Sequence, residues 1–150
     1  VYQIFLQLVL HPLTDPDVLK KHITKPFIAK IMELLNSENS YERDYLKNIL
    51  HKLYSRLVPR RKMIRKAMND QFFNLIHESY KFNGASELLD IQASVISGFA
   101  TPLRDEHIKM FNEVMIPLHK VQTCSLYFEQ LFRCSMIFVT KDRSLAGTLI

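Results

Sequence analysis

Lys47, His51 and Tyr54 are spaced by four and three residues, so on a helix they form one ridge. That ridge lies away from the Ile49/Leu53 core stripe and is not itself core. A second concentration of chemistry follows directly. Residues 56–66 contain Arg56, Arg60, Arg61, Lys62, Arg65 and Lys66 and no acid, so of 20 basic and 15 acidic residues the remainder holds 14 and 15, a net of −1. Cationic side chains at a helix start oppose the macrodipole by a few tenths of a kcal/mol each, roughly, so stability does not ask for them there. An anion site near Arg60 and Arg61 would explain them, through free N–H groups and guanidinium forks; a solvated helix face is the alternative. Nucleic acid would ask for a wider basic field with aromatic interleaving, and no nucleic-acid partner is expected. A small acidic partner fits better.

Catalytic constellations are absent from the sequence pattern. His77-Glu78 lacks the second histidine of a zinc helix, and no cysteine pair stands at ligand spacing. Asp105, Glu106 and His107 are consecutive and so point in different directions from a helix. There is no glycine-rich phosphate loop and no nucleophile elbow. No enzyme, metal or cofactor is expected.

The elements that position these groups read as helices throughout. In 150 residues, 47% hydrophobic and 23% charged, three glycines and six prolines are too few for a strand-and-turn fold. The longest apolar stretch, Val1–Leu10, is broken by Gln3 and Gln7 and falls short of the roughly 20 residues a bilayer demands, so no membrane insertion is expected. It also lacks the basic leader of a secretory signal, and the chain reads as a fragment. Cys124 and Cys134 stand about 15 Å apart along one helix, too far to bridge. As buried thiols they suit an intracellular, reducing compartment, cytoplasmic and/or nuclear.

Helices are expected over Val1–Leu10, Asp15–His22 and Pro26–Leu35, then from a Ser40 cap with the stripe Tyr41, Tyr45, Leu46, Ile49, Leu50, Leu53 and Leu57. Pro59 should open the next, with Ile64, Met68, Phe72, Leu75 and Ile76 inward as far as Tyr80. Asn83 and Gly84 turn the chain into Ala85–Phe99, which is apolar on more than one face. Thr101-Pro102 should start a helix that breaks near Pro117. Thr123 should cap a long one through Val139, and Asp142 with Ser144 a last one.

Hairpin starts near Ser40, Gly84 and Thr123 recur at about 40 residues, the period of a HEAT or armadillo solenoid. Residues 1–150 thus read as a single all-α solenoid segment of three to four hairpins, with a closed bundle as the rival. In a solenoid, first helices of successive hairpins lie side by side, which would set residues 41–57 beside 85–99. Ile91 and Val95 would then face the Lys47/His51/Tyr54 ridge, with Arg61, Arg104 and His107 at one end. Such a slot would accept a peptide carrying aliphatic anchors and an acid; ordinary packing with solvated charges is the alternative.

Glu42-Arg43-Asp44-Tyr45-Leu46-Lys47, Leu50-His51-Lys52-Leu53-Tyr54, Ile64-Arg65-Lys66, Phe82 through Ile91, Gly98 through Leu103 with Glu106-His107, and Pro117 through Val121 closely resemble the B-prime regulatory subunits of protein phosphatase 2A. The likeness runs ungapped over about residues 25–145. It implies a HEAT-like solenoid with a non-catalytic role, choosing substrates for a phosphatase assembled from scaffold and catalytic subunits. It also implies a groove for segments of the form leucine, any two residues, isoleucine, any residue, glutamate (L-x-x-I-x-E). Lys47, Asn48, His51, Lys52, Tyr54, Arg61, Ile91, Val95, Arg104 and His107 match its lining. By that pattern Tyr54 and Arg61 shape the leucine pocket, His51, Ile91 and Val95 hold the isoleucine, and Arg104 with His107 meets the glutamate. The chain departs from the pattern at Asn48 for threonine, Lys52 for arginine, Val95 for isoleucine, Arg104 for lysine, and in the turn at Pro59 and Arg60. Lys52 cannot offer the bidentate contact of arginine, and Val95 leaves one methylene of room, worth up to about 1 kcal/mol. The runner-up function is a solenoid adaptor that takes nucleic acid or transport cargo through residues 56–66.

Overall fold

The computed structural model describes residues 1–78 and 81–150, and among them every regular element is helical. The chain divides into two compact units, Val1–Gln71 and Phe72–Ile150.

In the first unit, α1 (Tyr2–Leu10), α2 (Pro16–His22) and α3 (Lys25–Leu34) precede the long α4 (Ser40–Arg56). Asp15 caps α2 by accepting from the Asp17 N–H at 2.8 Å, with Pro16 at the first helical position. Asn39, not Ser40, caps α4: its Oδ1 accepts from the N–H groups of Tyr41 at 2.9 Å and Glu42 at 3.4 Å. Both residue types can cap, and the extended backbone of Asn39 selects it. Helix α4 packs on α1 and α3. It buries Leu46, Ile49, Leu50 and Leu53, with Leu57 just beyond its end.

Tyr41 and Tyr45 leave the expected stripe, at 81% and 37% exposure. At 100° per residue they project roughly 140° and 100° from its centre. Pro59 does not open a helix. It lies inside a 3₁₀ turn (Val58–Arg60), and α5 (Arg61–His77) follows, running on past Gln71. Ile64, Met68, Phe72 and Leu75 are buried as expected, while Ile76 is half-buried. Tyr80, the expected end of this helix, lies outside the described residues.

In the second unit, Asn83-Gly84 turns into α6 (Ala85–Ser97), which is buried on several faces as its composition predicts. The next helix starts at Asp105 rather than at Thr101-Pro102, with Arg104 as its extended N-cap residue. It runs as α7 (Asp105–Met110), a π-helical turn (Phe111–Met115) and α8 (Ile116–Leu118). Pro117 has no N–H for the carbonyl four residues back, and the π turn stands where that hydrogen bond is missing. Thr123 precedes a 3₁₀ turn (Cys124–Leu126) with no side-chain cap, and the long helix α9 is Phe128–Lys141. Asp142 does open the final turn: its Oδ1 accepts from the Ser144 N–H at 3.0 Å and hydroxyl at 2.6 Å, before α10 (Ala146–Leu149).

Helix α6 packs along α9, and α9 also packs on the π turn. The Arg133 guanidinium meets Asp90 Oδ1 at 2.7 Å, and the Cys134 thiol donates to the Leu89 carbonyl at 3.3 Å. Both cysteines are free thiols, but Cys124 sits in the 3₁₀ turn rather than on α9, and it is only half-buried. Burial pushes the Cys134 thiol up to about 12, so it is a core thiol rather than a reactive one.

Gln92 is fully buried in α6, where its amide nitrogen donates to Met110 Sδ at 3.3 Å and, among the described residues, its Oε1 has no hydrogen-bond donor. An unsatisfied buried carbonyl costs about 1–3 kcal/mol. Gln92→Leu keeps the volume and removes both polar atoms. It should raise stability by about 1–2 kcal/mol, read as a higher urea midpoint at unchanged slope. A lower midpoint would mean that Oε1 is satisfied in solution.

Candidate peptide-binding surfaces

The residues singled out in the sequence divide between the units. Lys47, Asn48, His51, Lys52, Tyr54 and Arg61 lie on the first, and Ile91, Val95, Arg104 and His107 on the second.

On α4 the ridge forms as its spacing requires, with Lys47, His51 and Tyr54 all half-buried and Lys52 exposed. Asp44, one turn back, engages two of the predicted residues: its carboxylate lies 3.0 Å from Lys47 Nζ and accepts from the Asn48 amide at 3.4 Å. Desolvation holds the His51 imidazole below its ordinary range, and the charges of Lys52 and Lys47 push in the same direction. His51 is therefore a mainly neutral ring near pH 7, able to serve as an apolar face with a polar edge.

Tyr54 is the most constrained of the set. Arg61 stacks its guanidinium over the ring, with Cζ 5.2 Å from the centroid. The same side chain donates from Nε to the Tyr54 carbonyl at 3.0 Å and from Nη2 to the Ser55 carbonyl at 3.1 Å. Arg65 then donates to the Tyr54 hydroxyl at 3.2 Å. The reading from sequence missed Arg65; its place four residues after Arg61, on the same face of α5, was the available signal.

The basic run has a structural explanation that the sequence did not disclose. Arg56 donates to the carbonyls of Val9, of His11 at 3.2 Å and of Thr14 at 2.7 Å, and Arg60 donates to the Lys20 carbonyl at 2.8 Å. With Arg61 on Tyr54 and Ser55, three arginines satisfy carbonyls in and just beyond the last turns of α1, α2 and α4, where a cation is favourable. Lys66 pairs with Asp70 at 2.8 Å along α5. The expectation that stability does not ask for these charges is corrected for these arginines. They close helix ends, and no anion is needed to account for them.

On the second unit, Ile91 and Val95 stand one turn apart on α6 and are both buried, at 1% and 4% exposure. Neither forms the exposed apolar wall expected from the sequence. Arg104 is exposed at the start of α7, and His107 is nearly buried in its first turn. The His107 ring lies flat on Phe99, with centroids 3.7 Å apart and planes within 3°. Phe99 in turn leans on Phe138, and Phe138 on Phe111, at 6.4 and 5.1 Å. Lys141 Nζ donates to the Phe99 carbonyl at 2.7 Å.

Contrary to the expectation for three consecutive residues, Glu106 turns toward His107. Its Oε1 lies 3.5 Å from His107 Nε2 and 4.0 Å from Arg104 Nη1. Among the described residues no three metal-ligating side chains converge, and no helix is long and apolar enough to cross a membrane.

Residues 1–150 match the family model described as protein phosphatase 2A regulatory B subunit (B56 family). Over all 150 residues the chain is 43% identical to the B' gamma isoform of the 59 kDa regulatory subunits of serine/threonine protein phosphatase 2A from Arabidopsis thaliana, covering 29% of that protein. It is also 43% identical over its whole length to the delta isoform of the 56 kDa regulatory subunits from Saccharomyces cerevisiae (strain ATCC 204508 / S288c), covering 20% of it. With the phosphatase 2A regulatory protein pptr-1 of Caenorhabditis elegans it shares 41% identity over 145 residues, which are 97% of the chain and 27% of that protein. The chain thus spans under a third of the length of these relatives. Its all-helical structure and a family match over its whole length agree: the chain belongs to the B56 family of protein phosphatase 2A regulatory B subunits, HEAT-like helical-repeat proteins that regulate the phosphatase and do not catalyse its reaction.

Proposed function

We propose that the chain recruits substrates to a phosphatase 2A assembly by holding short segments of the form L-x-x-I-x-E. The family match over residues 1–150 carries the reading. Two local arrangements support it. Tyr54, clamped by Arg61 and Arg65, offers a rigid aromatic edge for an aliphatic anchor. The Arg104 guanidinium and the His107 imidazole already stand close to one carboxylate, that of Glu106. In this reading His51, Ile91 and Val95 take the isoleucine, while Lys47, Asn48 and Lys52 flank the segment. The partners are the scaffold and catalytic subunits, engaged by the full-length protein, and proteins carrying the motif. The setting is intracellular and reducing, in cytoplasm or nucleus, with no membrane insertion.

The nucleic-acid or cargo adaptor has less support, because the forks of Arg56, Arg60 and Arg61 are committed to carbonyl oxygens.

Fluorescence-polarisation titration of a labelled L-x-x-I-x-E peptide tests the proposal. Affinity near micromolar, about −8 kcal/mol, is expected. Two aliphatic anchors would supply much of it, at about 1.5–3 kcal/mol each. No binding at high micromolar protein would remove the motif reading for this segment. A nucleic-acid ligand making many phosphate contacts would lose orders of magnitude in affinity as salt rises, whereas the peptide should lose far less. A pull-down with a full-length protein containing the chain should recover scaffold and catalytic subunits.

A further inference from the structure

The two bases assigned to the motif's glutamate already share an acid from their own chain. Glu106 Oε1 lies 3.5 Å from His107 Nε2 and 4.0 Å from Arg104 Nη1. His107 cannot easily swing away, because its ring is stacked flat on Phe99 and is nearly buried. Arg104 and Glu106 are exposed side chains, free to change rotamer. The geometry is that of a carboxylate site whose fixed member is His107 and whose two mobile members are a cation and a competing anion.

We propose that Glu106 is an internal competitor that occupies the position of an incoming glutamate carboxylate and so sets the affinity and selectivity of this site. The inference rests on the motif reading above for the identity of the ligand, but not for the occupancy itself. A carboxylate arriving at His107 Nε2 and Arg104 meets Glu106 within a few ångströms, and two carboxylates at one pair of bases repel. Glu106 must therefore rotate into solvent when the ligand glutamate docks. A ligand without a carboxylate at that position leaves Glu106 in place and loses nothing to it. The residue consequently narrows the advantage of glutamate over a neutral side chain, and its removal should widen it. Glu106 and Arg104 are both exposed to solvent, so the competition is modest and screened by salt.

Glu106→Gln keeps the size of the side chain and removes its charge. Titrated with an L-x-x-I-x-E peptide at low ionic strength, it should bind roughly two- to fivefold more tightly than the unaltered chain. The same peptide with its glutamate replaced by alanine should bind both proteins equally. Asp105→Asn makes the same change in net charge one residue away, and should shift both peptides alike and less. A second measurement is independent of the motif. Acetate added to the chain, followed by the imidazole resonances of His107, should produce half-maximal shifts at a lower concentration in Glu106→Gln.

Unchanged or weaker peptide binding by Glu106→Gln would overturn the competition, and would identify Glu106 as a support for His107 instead. An equal gain from Asp105→Asn would reduce the effect to net charge and overturn the specific occupancy. An acetate response identical in both proteins would overturn it as well. If neither protein binds the peptide while the acetate response still differs, the motif reading fails and the internal competition stands.

Discussion

Phe138→Ala is expected to destabilise the second unit by about 3–5 kcal/mol, a large share of the stability of a unit this size. Phe138 is fully buried on α9 and touches both Phe111, in the π turn, and Phe99, beyond the end of α6. Truncation removes the transfer free energy of the ring and leaves a cavity between elements that cannot all close on it. Phe128, on the same helix, is 52% exposed, and Phe128→Ala should change stability by no more than about 0.5 kcal/mol. Helix propensity cannot account for the loss, since alanine is a better helix former than phenylalanine. Urea unfolding followed by circular dichroism measures it, and equal effects of the two substitutions would contradict the packing described. Phe138→Ala should also loosen His107, because Phe99 is the surface on which that ring lies. Variants that remain folded should therefore lose peptide affinity beyond what their stability predicts.

Arg104→Glu should weaken an L-x-x-I-x-E peptide by about 1.5–3 kcal/mol, roughly ten- to a hundredfold. It removes a charge-assisted contact and adds repulsion beside Glu106. Against the peptide whose glutamate is alanine, the same substitution should cost little, because the contact is missing in both complexes. Arg104 is exposed, so folding stability should hardly respond. His51→Ala provides the contrast, since it disturbs the isoleucine position and should weaken both peptides alike. Equal losses for Arg104→Glu with and without the peptide glutamate would mean that Arg104 is not its partner.

Much of the fold was legible in the sequence because helices announce themselves locally. The three- and four-residue recurrence of Leu46, Ile49, Leu50, Leu53 and Leu57 dictates which face of α4 is buried, whatever it packs against. Asp15 before Pro16, and Asp142 two residues before Ser144, are start signals that act within one turn. The ridge of Lys47, His51 and Tyr54 follows from spacing alone, and the family wording from the order of residues.

The misplacements have a common cause. Asn39 and Ser40 are both cap residues, and only the backbone angles decide which one accepts. Thr101-Pro102 and Thr123 carry start signals too, yet their helices begin at Asp105 and Phe128.

What tertiary structure alone decided is where the charges go. The arginines at 56 and 60 find carbonyl acceptors 40 to 47 residues earlier, a distance in sequence at which no local pattern operates. Arg65 reaches Tyr54 only because the 3₁₀ turn at Val58–Arg60 brings the start of α5 back against the end of α4. Glu106 and Arg104 meet because Arg104 stands outside the helix on an extended backbone, so the 100° per residue that separates helical neighbours does not apply between them. Hydrophobic periodicity is written into the chain because burial needs only a face. A guanidinium or a carboxylate needs one particular atom opposite it, and only the folded chain supplies that atom.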